Sequence, residues 1–194
     1  MHCVSGRREE LSQRLLEDMG RYRHKVFVSH LGWPLHSSSD IESDEFDGPD
    51  AVYLASRNER GLINGVARLL PTTAPYLLQK VFPMLWGGLD LPHDPEIWEL
   101  SRFAAIDFGA EASAPHQASA KHASNLLRRV IKLAGERGAK TLITVSPIGM
   151  ERLLQVNGFK ANRAGIPFVH DGSSIVALRI ACGNISDDES PLPG

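Results

Sequence analysis

The chain has 194 residues, 42% hydrophobic and 23% charged, with a formal net charge of −2, enough for one domain with a substantial core and too balanced for a polybasic nucleic-acid or membrane-surface binder. No run approaches the roughly 18 apolar residues of a membrane span, and the opening MHCVSGRREE lacks the apolar stretch of a secretory signal. Cys3 and Cys182 stand near opposite ends without metal-ligand spacing, which fits reduced thiols and a cytoplasmic location.

Leu11, Leu15, Leu16, Met19, Tyr22, Val26 and Phe27 recur at helical spacing and predict a first amphipathic helix that stops before Gly32. The next stretch, GWPLHSSSDIESDEFDGPD, is polar and broken by Gly and Pro, so it reads as a long loop. AVYLASR and LINGVARLL, joined by NERG, predict a β-hairpin. A Pro-interrupted connection from Pro71 to Pro95 leads to the strand EIWELSRFAAI. A second helix spans about Ser119 to Arg137, KTLITVS is a strand, and GMERLLQVNGF is a short helix closed at Gly158. IPFVHDG and SSIVALRIA form a final hairpin. Residues 1–183 are thus expected to be the domain, and NISDDESPLPG (184–194) a disordered tail.

This order predicts a single α/β (α+β) domain with a mixed, mostly antiparallel sheet flanked by helices. It is similar to the N-acetyltransferase superfamily, whose splayed sheet opens a cleft for an acyl thioester. The Gly-rich pyrophosphate loop of coenzyme A users is not visible at a helix start, so another device should deliver the acyl group. Charge is segregated along the chain. Asp40 to Asp50 holds six acids and no base, whereas Ser119 to Gly165 holds nine bases against Glu136 and Glu151. A solvated face is the ordinary reading of such a run, and an acidic protein partner is the alternative.

The stretch WELSRFAA places Glu99 and Arg102 in an otherwise apolar strand. Strict alternation puts Glu99, Ser101 and Phe103 on one face, and Leu100, Arg102 and Ala104 on the other. A strand end or a β-bulge would bring Glu99 and Arg102 into one cleft; a solvated edge strand is the competing reading.

Three further stretches accompany it. RYRHKVFVSHLGW holds Arg23, Phe27 and Trp33; IESDEFD holds Glu42, Asp44 and Asp47; GVARLLPTT holds Arg68 and Pro71 to Thr73. In order and spacing (Arg-x3-Phe-x5-Trp, Asp-x2-Asp, Arg-Leu-x-Pro-Thr-Thr, Glu-x2-Arg) the four resemble the acyl-homoserine-lactone synthases, the LuxI-type autoinducer synthases of quorum sensing. The later Ile143-Thr144-Val145, Met150-Glu151-Arg152 and Gly158-Phe159 resemble the same family, and the likeness runs from about Arg21 to about Ala181.

The resemblance implies transfer of an acyl chain from acyl carrier protein to the amine of S-adenosylmethionine, a co-substrate, followed by lactone closure and release of methylthioadenosine. It implies no cofactor, metal, nucleic acid or membrane. The amine, with a pKa of about 8, needs a base, and the family assigns that part to Glu99. The thioester oxygen needs donors; the Ser101 hydroxyl and the backbone N–H groups around Phe103 to Ile106 are the candidates. The matched Glu-x2-Arg motif places Arg102 among the catalytic residues with Glu99 and Ser101. For S-adenosylmethionine the candidates are Arg23, Phe27, Trp33, Asp44, Asp47 and Arg68. Phe27 and Trp33 offer cation–π faces to the sulfonium, with Phe27 as core and Trp33 as a loop anchor the competing readings. Asp44 and Asp47 either bind the ammonium or pair with Arg23, Arg68 and Arg102. Leu100, Phe103, Thr144, Ser146, Met150 and Leu154 match acyl-lining positions, against plain core for Met150 and Leu154. Lys132, Arg152, Lys160 and Arg163 are the bases for an acidic carrier protein, against solvated surface charge.

Departures from the pattern are Phe46, where the family often has Tyr, and Ser146-Pro147 near the acyl end. Two other functions compete. A coenzyme A-dependent N-acetyltransferase leaves the Arg-Phe-Trp and Asp-x2-Asp blocks unexplained. A non-catalytic sensor of an adenosine ligand predicts that Glu99→Gln keeps ligand affinity with no turnover to lose.

Overall fold

The computed structural model describes residues 2–35, 37, 38, 40–110 and 116–183. The strands are β1 (His2–Arg7), β2 (Ser37–Ser38), β3 (Ile41–Glu42), β4 (Val52–Arg57), β5 (Ile63–Pro71), β6 (Ile97–Ala104), β7 (Thr141–Pro147), β8 (Ala161–Arg163), β9 (Phe168–His170) and β10 (Ser173–Ala181). The helices are α1 (Gln13–Arg23), α2 (Leu77–Val81), α3 (His116–Glu136) and α4 (Ile148–Val156). The sheet order is β1-β4-β5-β6-β7-β10-β8, with β9 also on β10. All of these pairings are antiparallel except β6 with β7. The architecture is the mixed, mostly antiparallel sheet flanked by helices that the element order predicts.

The inner strands β4 and β5 are buried on both sides because the sheet is covered on both sides there. Along β4, Val52 and Leu54 join a core with Leu126, Leu127, Val130 and Ile131 of α3 and Leu154 of α4. The intervening Tyr53 and Ala55 join a second core with Leu15, Met19 and Tyr22 of α1. Ser12 starts α1 as its N-cap, its hydroxyl accepting from the Leu15 N–H.

The parallel pair is short. β6 and β7 pair only at Ile97↔Thr141, Trp98↔Leu142 and Glu99↔Ile143. Beyond Glu99, β6 stays with β5 and β7 stays with β10, so the sheet splays between Leu100 and Thr144.

Several elements differ from expectation. β1 is unexpected because HCVSGR shows no apolar alternation; it is held by ladder bonds to β4 along its length. The Pro71–Pro95 connection contains α2 and a 3-10 turn at Pro83–Trp86, and the three-residue β8 is too short to read. The first helix leaves α geometry at Arg23 and continues as a π-helix over His24–His30. The long loop carries the small β2–β3 pair. The tail expected at 184–194 lies outside the described residues. Among the described residues no helix is long and apolar enough to cross a membrane.

Candidate active site

The splay begins at Glu99. By strand parity Glu99 and Ser101 face the α1 side, while Leu100 packs into the α3 core. Arg102 would follow Leu100, but a register shift against β5 and a left-handed backbone (φ 50°) return its side chain to the α1 side. This is the bulge that brings Glu99 and Arg102 to one face. A non-glycine residue held there stores strain, and its guanidinium partners hold it in place.

Those partners come from the acidic loop. Arg102 donates to Glu42 Oε1 through Nε and Nη2 (3.1 and 2.9 Å), and Nη2 lies 2.8 Å from Asp44 Oδ2. Arg23, at the end of α1, donates through Nε to Glu42 and makes a two-point contact to Asp47 at 2.8 and 2.9 Å. Arg68 of β5 donates to Asp44, to Asp47 Oδ1 (3.0 Å) and to the Ser101 hydroxyl oxygen (3.1 Å). The Tyr53 hydroxyl donates to Asp47. Three guanidinium groups thus face three carboxylates, and the buried charges cancel.

Exposure separates the acids. Glu42 is 1% exposed and Asp47 7%, whereas Asp44 keeps 19% of its side chain open. Burial alone would raise Asp47, but Arg23 and Arg68 hold it well below the usual carboxylate range. Burial likewise opposes the charge on Arg23, yet Asp47 and Glu42 outweigh it and tighten its proton. Phe27 is buried and stacks on the half-buried Trp33, ring centroids 5.0 Å apart, with the Arg102 guanidinium 5.7 Å from the Phe27 ring.

Glu99 is fully buried and lies outside this ion-pair set. Its Oε2 accepts from the Leu77 N–H (2.8 Å) and its Oε1 from the Leu78 N–H (2.7 Å). Burial pushes its carboxyl up to about 7; the Leu78 and Leu77 amides and the Arg68 charge offset part of that rise. A carboxyl poised there exchanges a proton at neutral pH.

On the other face, Leu100 and Leu154 are fully buried in the α3 core, with Met150 and Phe103 packed against it. Thr144 and Ser146, on β7 past the last β6 partner, are buried and hydrogen-bonded to each other at 2.9 Å. The six acyl-lining candidates therefore flank the splay or the core behind it. Among the backbone donors proposed for the thioester oxygen, the Ile106 N–H is taken by the Tyr22 hydroxyl oxygen at 2.8 Å, which removes it from that set. Lys132 of α3, Arg152 of α4, and Lys160 and Arg163 at β8 are exposed, and Arg163 makes a two-point pair with Glu151 of α4.

Sequence reasoning missed Glu42, Tyr53 and the Leu77–Leu78 amides as members of the site. Glu42 had one signal: with Asp44 and Asp47 it makes the carboxylates equal in number to the three arginines. The amides had none, because any non-proline backbone carries an N–H.

A family model described as autoinducer synthase matches residues 7–190. An acyl-homoserine-lactone synthase of Acinetobacter nosocomialis is 46% identical over 181 residues, 93% of this chain and 99% of its own. TofI, solved in a ternary complex with an inhibitor and MTA, superposes with a TM-score of 0.82 at 39% identity, covering 94% of this chain and 92% of its own. BjaI, a CoA-dependent acyl-homoserine lactone synthase solved with SAM and isopentyl-CoA, gives 0.79 at 26% identity, covering 93% and 82%. In fold alone, an acyl-CoA N-acyltransferase from Pseudomonas aeruginosa is similar at a TM-score of 0.59 and 14% identity, covering 93% and 99%.

Proposed function

The chain belongs to the autoinducer synthase family, whose named members are acyl-homoserine-lactone synthases and hence acyltransferases, and from that premise we propose how its own residues carry the reaction. Glu99 is the general base: a fully buried carboxyl at the root of the splay, pushed up to about 7, is the observation that carries the reading. S-adenosylmethionine lies on the α1 face. Its ammonium meets the exposed side of Asp44, and its sulfonium meets the half-buried Trp33 beside Phe27. Arg23, Asp47, Arg68 and Arg102 hold that loop in place, with Glu42 between Arg23 and Arg102.

The acyl chain passes between Leu100 and Thr144 toward Ser146, Met150 and Leu154, with the thioester carbon at the root of the splay. Glu99 takes one ammonium proton, and the freed amine attacks the thioester carbon. The C–S bond breaks with its electron pair going to sulfur, which takes up the second proton shed by the new amide nitrogen and leaves as the carrier thiol. Donors on the β6 side, the Ser101 hydroxyl among them, steady the carbonyl oxygen. The methionine carboxylate then attacks its own γ-carbon. The electron pair of that C–S bond returns to sulfur, and neutral methylthioadenosine leaves with the lactone closed. No further cofactor is needed for either step.

The donor is assigned to an acyl carrier protein. The segment joining β6 to α3, AIDFGAEASAP, carries Asp107 and Glu111 and no base, which disfavours a pyrophosphate there. The exposed bases of α3 and α4 and at β8 complement an acidic carrier. The CoA-dependent BjaI makes coenzyme A the reading to test against. The product serves as a quorum-sensing signal, and the reaction is placed in the cytoplasm, consistent with two free cysteines. The test is to mix the protein with S-adenosylmethionine and matched acyl-carrier-protein and acyl-coenzyme A thioesters, following thiol release and products by mass spectrometry. An acyl-homoserine lactone with methylthioadenosine supports the reaction. Release from coenzyme A alone overturns the carrier assignment, and release from neither overturns the synthase.

A further inference from the structure

α2 begins at Leu77 after Tyr76, whose backbone is extended (φ −137°, ψ 162°). The first N–H groups of any α-helix have no partner inside the helix. Here the first two, from Leu77 and Leu78, are spent on the two oxygens of one carboxylate, at 2.8 and 2.7 Å. The segment is anchored on both sides of that contact. Tyr76 and Leu78 are both 0% exposed, and the Tyr76 hydroxyl donates to the Pro92 carbonyl at 2.7 Å.

We infer that the Leu77 and Leu78 N–H groups form a clamp that aims the Glu99 carboxylate and keeps it a usable base, which makes Tyr76–Leu78 a positioning element of the reaction. The inference rests on the reading of Glu99 as the base. A carboxylate with no exposure has no water to solvate its charge, so without donors it would stay protonated at neutral pH. The other groups acting on its charge are Arg68 of β5, which favours the anion, and Asp44 of the acidic loop, which opposes it; Tyr76 is the neighbouring phenol. Ile143, its β7 partner, is apolar. The amides are therefore the direct donors to the anion, and two of them fix both of its oxygens.

Proline is well suited to the first position of a helix and demands an extended residue before it, which Tyr76 already is. Leu77→Pro thus removes one donor and keeps the backbone path, while Leu77→Ala trims the side chain and keeps the donor. Activity as kcat/KM against pH should rise through about 7 in the wild type. The Leu77→Ala midpoint should match it, and the Leu77→Pro midpoint should move up by roughly one to two pH units, the effect of one charge-assisted hydrogen bond. A Leu77→Pro midpoint equal to the wild type overturns the clamp. If Leu77→Pro does not fold, amide NMR of the wild-type protein decides. The Leu77 and Leu78 signals should titrate in step with kcat/KM and stop doing so in Glu99→Gln, whereas signals insensitive to pH overturn the inference. Full turnover in Glu99→Gln would instead remove the base reading, so the two failures are told apart.

Discussion

Glu99 ties stability to pH. Its folded-state value, about 7, lies above the ordinary carboxylate value of 4.5, so the folded protein holds that proton more tightly than the unfolded chain. Its contribution to stability is therefore complete below about pH 4.5 and lost as pH rises through 7, a loss of roughly 3 kcal/mol if nothing else titrates. Glu99→Gln should lower kcat by about 10²–10⁴-fold. Over the same change, its melting temperature relative to wild type should climb as the pH goes from 5 to 8; a constant difference would refute the burial argument. Glu42 poses the opposite case. It is 1% exposed and shared by Arg23 and Arg102, so Glu42→Ala leaves buried positive charge without its partner. Urea unfolding at neutral pH should show a loss of roughly 3–5 kcal/mol, with Arg102 left to Asp44 and Arg23 to Asp47.

The elements matter through how closely they approach. α1 brings Arg23 to Glu42 because Gly20 lets β3 lie against the helix; a Cβ there would stand 2.6 Å from Ile41 Cγ2. Gly20→Ala should push the acidic loop outward. Equilibrium binding of S-adenosylmethionine should weaken several-fold, more than the variant's melting temperature falls. Unchanged affinity would show that the loop is placed without this contact. The π-helix at His24–His30 is the second such device. It ends with the Leu31 N–H on the Val26 carbonyl and the Trp33 N–H on the Phe27 carbonyl, which turns Trp33 back onto Phe27. Helical spacing from Leu11 to Phe27 is plain in the sequence, but the change of winding at Arg23 is not, since both windings keep nearly the same residues inward. The short β8 and α2 are illegible for a related reason: with three and five residues they show no period, and their neighbours hold them in place.

Across the whole molecule the sheet divides the work. The acids and Glu99 lie on the α1 face, Leu100 and Leu154, proposed to line the acyl chain, pack in the α3 core, and β6 and β7 splay between the two. If the carrier protein docks on the exposed bases, Arg152→Glu with Lys160→Glu should raise KM for the carrier thioester about tenfold and leave KM for S-adenosylmethionine alone. Added salt should weaken the wild-type interaction and not that of the variant. An unchanged carrier KM places the docking surface elsewhere. The chain itself determines the family, the element order, the mostly antiparallel sheet and the residue types of the site, because motif spacing and apolar period are local properties written along it. Which groups meet was decided by tertiary structure. Parity along WELSRFAA assigns Arg102 to the wrong face until one bulge turns it over, and Glu42 becomes the hub only when α1 and the loop converge. The Glu99 carboxyl is raised to about 7 only once the fold removes water, with two amides offsetting part of the rise. At this site burial, charge compensation and hydrogen-bond geometry depend on residues distant in sequence, such as Arg102 with Glu42 and Glu99 with Leu77 and Leu78.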